Sequence, residues 1–174
     1  MNTIAKKQIS LKMQTVYALV ATVAAVLLPQ LFHLFGAVGG ETFLPMHLPV
    51  FLVGFLAGPV AGGICGVLSP IVSFAISGMP AAALLPFMVI ELAVYGIISG
   101  LLRDVKMPSI LKVLSAQVGG RAVRAVFILL AFYLGNSTIA PAIIVNSIIS
   151  GVYGIVIQLV LIPVILKLAE RKTR

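Results

Sequence analysis

Residues 47–76 read HLPVFLVGFLAGPVAGGICGVLSPIVSFAI, with no Asp, Glu, Lys or Arg among them. An uncharged run of this length suits a bilayer, where a spanning helix needs about 20 apolar residues. Gly58-Pro59 interrupts it, because proline opens a helix far better than it continues one. We therefore read two helices, 47–57 and 59–76, joined by a tight break. The rest of the chain has the same character. Its 174 residues are 61% hydrophobic and only 9% charged, with mean hydropathy +1.21. A soluble domain carries roughly 25% charged residues. A chain this short cannot hide the difference in a core, so its solvent is lipid.

Working outward, the apolar segments place helices at about 11–35, 47–57, 59–76, 81–102, 109–134 and 141–169. This is an all-α membrane protein, a six-transmembrane-helix bundle forming a single integral domain over 1–174. Lys6, Lys7 and Lys12 precede a first helix that is retained, since five further apolar segments follow it. Basic residues gather at the N-terminus, at 103–112 (Arg103, Lys106, Lys112), and at Lys167, Arg171, Lys172 and Arg174. By the positive-inside rule all three groups are cytoplasmic, giving four crossings and then two, with both termini cytoplasmic. Segment 47–57 is short for a full span. Merging it with the next segment leaves a four-helix alternative.

Net charge is +8, yet no basic face carries aromatics, so nucleic acid is not the partner. No Gly-rich loop ends in Lys-Ser/Thr, so any ATP is bound by another chain. Cys65 is the sole cysteine. His33 and His47 lack further ligands at metal spacing, and no nucleophile has a base beside it. We expect no metal, no cofactor and no enzymatic activity. Gly54, Gly58, Gly62 and Gly66 recur every four residues, as do Gly96 and Gly100. Small residues at that spacing permit close helix approach in lipid.

The informative residues are polar ones at membrane depth. Glu91, Gln117, Arg121, Arg124 and Asn146 fall inside apolar helices, where a mid-bilayer charge costs at least about 2.5–3.5 kcal/mol unless turned inward and paired. Arg121 lies 14 residues beyond Met107, roughly 21 Å along a helix, and Arg124 is one turn further. Glu91 is 11 residues from Pro80, roughly 16 Å. Gln117, Arg121 and Arg124 share one helical face. With His47, Met79 and Tyr133 these groups converge on the outer half of the bundle and describe a ligand cavity open to the outside. The competing structural reading is a Glu91–Arg121 pair stapling two helices.

These residues resemble a known family, the S components of energy-coupling factor (ECF) vitamin transporters. Leu44-Pro45-Met46-His47-Leu48-Pro49-Val50, Gly54 and Ala57-Gly58-Pro59 resemble its second helix and turn. Leu68-Ser69-Pro70 and Ser77-Gly78-Met79-Pro80 resemble its third helix and loop. Glu91-Leu92-Ala93-Val94-Tyr95-Gly96 with Ser99-Gly100-Leu101 resembles its fourth, and Gly120-Arg121 its fifth. The resemblance implies a multi-pass protein of the bacterial cell membrane that captures a vitamin and docks on a membrane coupling subunit carrying two ATPase subunits. It implies delivery by toppling of the bundle in the membrane. An Ala-xxx-Ala motif in the first helix is implied to contact the coupling subunit, here Ala21 and Ala25 with Ala18 and Thr22 beside them. Cobalamin is favoured as substrate, with pantothenate and folate as alternatives. Arg124 and the short Gly-rich first loop depart from the family pattern. A rival class is a proton-coupled secondary transporter with Glu91 as relay.

Overall fold

The computed structural model of the protein describes residues 10–33, 42–135 and 139–172. Those residues contain no strand, and they form seven helices of nine residues or more. In chain order these are α1 Leu11–His33, α2 His47–Ala57, α3 Pro59–Ser77, α4 Leu85–Leu101, α5 Ser109–Tyr133, α6 Ala142–Ser150 and α7 Val152–Lys172. Helices α1, α3, α5 and α7 are long and apolar enough to cross a membrane, while α2 and α4 are shorter apolar helices.

The Gly58-Pro59 break falls where the sequence places it. Gly58 adopts φ 114° while its N–H donates to the Gly54 carbonyl, ending α2, and Pro59 opens α3. Gly78 closes α3 in the left-handed conformation (φ 70°), its N–H donating to Phe74. Two expected boundaries differ. Residues 81–84 form a turn ahead of α4 instead of its first turn. The single helix expected over 141–169 is two, α6 and α7, divided at Gly151. Phe43 and Leu44 pass so close to this division that a Cβ on Gly154 would lie 2.6 Å from the Phe43 carbonyl, and one on Gly151 2.9 Å from the Leu44 side chain.

Helix α2 is the hub. It packs against α1, α3, α4 and α7, and eight of its eleven residues are buried, including Val50, Phe51, Val53 and Phe55. Its shortness follows from this position: it is enclosed by protein, so it need not match the bilayer's thickness. The α3–α4 contact is the closest in the bundle. A side chain at Gly62 or Gly96 would fall on the partner's backbone, and one at Gly66 on the Leu92 carbonyl. Gly54 of α2 approaches the same surface, where an added Cβ would be 2.6 Å from the Gly96 carbonyl oxygen. Without a hydrophobic force between helices in lipid, such backbone proximity supplies the dispersion contacts that hold the bundle.

Hydroxyls in these helices bond the preceding turn: Thr22 to Ala18 O, Ser69 to Cys65 O and Ser99 to Tyr95 O, at 2.8, 2.6 and 2.6 Å. Each polar group is thus satisfied without water.

The packing of α1 shows which way its small residues turn. Ala18 and Ala25 are fully buried, Thr22 is 6% exposed, and Ala21 packs against the same core. Ala18, Thr22 and Ala25 seat α1 on α2 and α3, while Ala21 is half-buried beside them. Val16, Val20, Val23 and Leu27 occupy the outward side. The small residues sit inside because only they allow α1 to approach its two neighbours closely.

Candidate binding cavity

A cavity of about 360 Å3 lies where α1 and α3 end, α2 and α4 begin, and α5 runs toward α6. That is the end of the bundle away from Arg103, Lys106 and Lys112, which lie at the α4–α5 connection. Its walls are largely apolar, formed by Pro29, Leu44, Met46, Leu84, Met88 and Ile143. His47, Met79, Glu91, Arg121, Arg124 and Asn146 line it together. Six residues from five separate stretches of sequence therefore meet in one space.

Glu91 is the centre of the polar network. It is 1% exposed and accepts two hydrogen bonds, from Tyr95 Oη at 2.6 Å and from Arg124 Nη1 at 2.8 Å. Tyr95 is four residues on, one turn along the same face of α4, so its hydroxyl reaches back to the carboxylate. Phe51 stacks on the Tyr95 ring at 4.9 Å between centroids, and the His47 ring lies 5.5 Å away. The rotamer that holds Glu91 is thus itself held by packing. The helix staple expected from sequence exists, but its cation is Arg124. Arg121, the expected partner, makes no hydrogen bond or ion pair among the described residues, and its Nε is buried without a partner.

His47 is 3% exposed and its Nδ1 is likewise buried and unpaired. A ligand carrying hydrogen-bonding groups could pair with these two nitrogens.

Two expected site residues do not reach the cavity. Gln117 is buried in the α5–α7 interface, where its Nε2 donates to Gln158 Oε1 at 2.9 Å. It precedes Arg121 by one turn, but the two side chains diverge because α7 covers the Gln117 side. Tyr133 closes α5, is 73% exposed, and packs edge-on to Phe132. Sequence reasoning also missed residues. Leu44, Met88, Ser147 and Ser150 line the cavity, but an apolar or hydroxyl residue in an apolar helix carries no signal of its own. Gln158 did carry one, a lone amide inside α7. Its Nε2 donates to the Leu44 carbonyl, tying the cavity wall to α7 and, through Gln117, to α5. The described residues hold no cluster of metal-ligating groups.

The long apolar helices define a multi-pass membrane protein, with a largely apolar cavity holding a polar cluster at one end of the bundle. Residues 12–166 match the family model of the ECF transporter substrate-specific component, and the chain belongs to that family. No match was found among curated proteins or among solved structures. Proteins of this family work with a membrane coupling subunit and ATPases, so the chain is a transport component.

Proposed function

We propose that this chain captures a small vitamin from outside the cell and delivers it, by toppling against a coupling subunit that carries two ATPases, to the cytoplasm. The observation that carries this reading is the cavity itself. It gathers the costly polar groups of four helices at the end of the bundle opposite the basic α4–α5 connection. With the basic clusters cytoplasmic, as positive-inside bias directs, the cavity faces outward. Six crossings then follow, α2 counting as one and α6 with α7 as another, and both termini are cytoplasmic. The short α2 makes its crossing inside the protein.

Size bears on the substrate. Small-molecule sites begin at roughly 300 Å3, which puts this cavity among the smaller ones. Pantothenate is of the size such a space suits, and cobalamin, favoured by the sequence resemblance, is far larger. The unpaired His47 Nδ1 also favours cobalamin, since such a nitrogen ligates cobalt. We place a pantothenate-sized vitamin first.

Calorimetric titration of the detergent-purified chain, without partners, against pantothenate, folate and cobalamin tests this reading. Tight binding of any one establishes capture by the solitary subunit. Absence of binding to all three would return the polar cluster to a structural role or point to a vitamin outside this panel.

A further inference from the structure

Among the described residues, the charges around the cavity do not cancel. Among the described residues, the ionised groups facing it are the Glu91 carboxylate and the guanidiniums of Arg121 and Arg124. Tyr95 donates to Glu91, and the His47 ring lies 5.5 Å from the Tyr95 ring. The 2.8 Å ion pair consumes one positive and the single negative charge, which leaves Arg121 as an unbalanced cation. No hydrogen bond or ion pair among the described residues offsets it, and its Nε is buried. Bulk water would screen such an excess, but in an apolar-walled space it is screened far less.

From this charge imbalance we infer that the cavity is built for a monoanion, specifically the carboxylate of a compact acid whose apolar body lies against Met46, Leu84, Met88 and Ile143. The inference deepens the binding reading above and rests on it. A carboxylate matches the planar donor fork of arginine and can take two parallel bonds from Arg121. Its single negative charge brings the sum over the site to zero. Arg124 stays on Glu91, and the unpaired His47 nitrogen is free to bond a hydroxyl or amide further along the ligand. A neutral ligand could return hydrogen bonds to Arg121 but not the opposite charge. A cation would meet like charge.

The test uses matched pairs that differ only at the acid. The full chain in detergent is titrated with pantothenate and pantothenol, biotin and biotinamide, and lipoate and lipoamide. Folate, neutral riboflavin, cationic thiamine and cobalamin complete the panel. One acid is expected to bind at least about tenfold more tightly than its neutral partner, as befits hydrogen bonds to a charged group. In Arg121→Gln that ratio should fall to within about threefold, and Arg121→Lys should restore part of it. Thermal unfolding of each variant confirms that the protein measured is folded, and the wild-type ratios need no variant at all. Equal or tighter binding of a neutral partner, riboflavin or thiamine would overturn the anion assignment while leaving vitamin capture intact. Absence of binding across the whole panel would overturn both.

Discussion

Gly62 and Gly63 are neighbours on α3, and alanine should have opposite effects at the two positions. In a helix interior, alanine is favoured over glycine by about 0.5–1 kcal/mol. At Gly63 an added Cβ would meet only the Ile97 side chain, at 3.1 and 3.5 Å, and that flexible end can give way. Gly63→Ala should therefore be neutral or stabilise by up to about 0.5 kcal/mol. At Gly62 the same carbon would land on the Gly96 backbone, 2.8 Å from its Cα and closer still to its carbonyl. Carbon atoms prefer about 3.5–4.0 Å, so α3 and α4 would have to part by on the order of 1 Å. Overpacking costs about 1–3 kcal/mol, and backbone cannot rotate away, so after the propensity gain a loss of about 2 kcal/mol is expected for Gly62→Ala. Gly96→Ala meets Gly62 in return and should cost a similar amount. The double variant should fall short of the sum by about 1 kcal/mol, because helices already parted are not parted twice. Reversible unfolding in mixed detergent and SDS micelles measures all four. If Gly63→Ala proves as damaging as Gly62→Ala, or the two alanines at the crossing add fully, the close α3–α4 contact is refuted.

Further outcomes test the cavity and its supports. Glu91→Gln should destabilise by about 3 kcal/mol, the lower end for breaking a buried pair. The lower end applies because the Arg124 side chain keeps 15% exposure. A variant that stays as stable and binds normally but loses uptake driven by a pH gradient would instead mark Glu91 as a proton relay. Gln158→Leu strands the Gln117 amide and the Leu44 carbonyl. Leaving those groups unpaired should cost about 2 kcal/mol in denaturant unfolding. It should also weaken ligand binding through the Leu44 wall, and an unaltered Kd by calorimetry would remove Gln158 from any role in the site. On α1, Ala25 is fully buried while Val20 is 65% exposed. Ala25→Leu should therefore lose about 1–3 kcal/mol by overpacking. Val20→Leu should stay within about 0.5 kcal/mol by thermal unfolding. The reverse pattern would put the alanine stripe back on the outside.

Membrane residence, helical class and most helix positions were legible in the chain, because in lipid every backbone group must be bonded within its own segment. That leaves composition and the punctuation of Gly58-Pro59 and Gly78 to determine where helices run. The polar groups that line the cavity were also legible. His47, Glu91, Arg121, Arg124 and Asn146 violate the apolar pattern, and a violation in lipid needs a reason.

What tertiary packing alone decided was direction and partnership. Arg121 and Arg124 are both plausible partners for Glu91, and only the rotation of α5 against α4 gives the carboxylate to Arg124 and leaves Arg121 without a hydrogen bond or ion pair among the described residues. Gln117 turns to Gln158 because α7 lies on that side of α5. The stripe of Ala18, Thr22 and Ala25 reads equally as an internal or an external contact, and burial against α2 and α3 made it internal. A helix states which residues share a face, but which neighbour that face meets depends on the crossing of whole helices, and those crossings rest on contacts far apart in the chain.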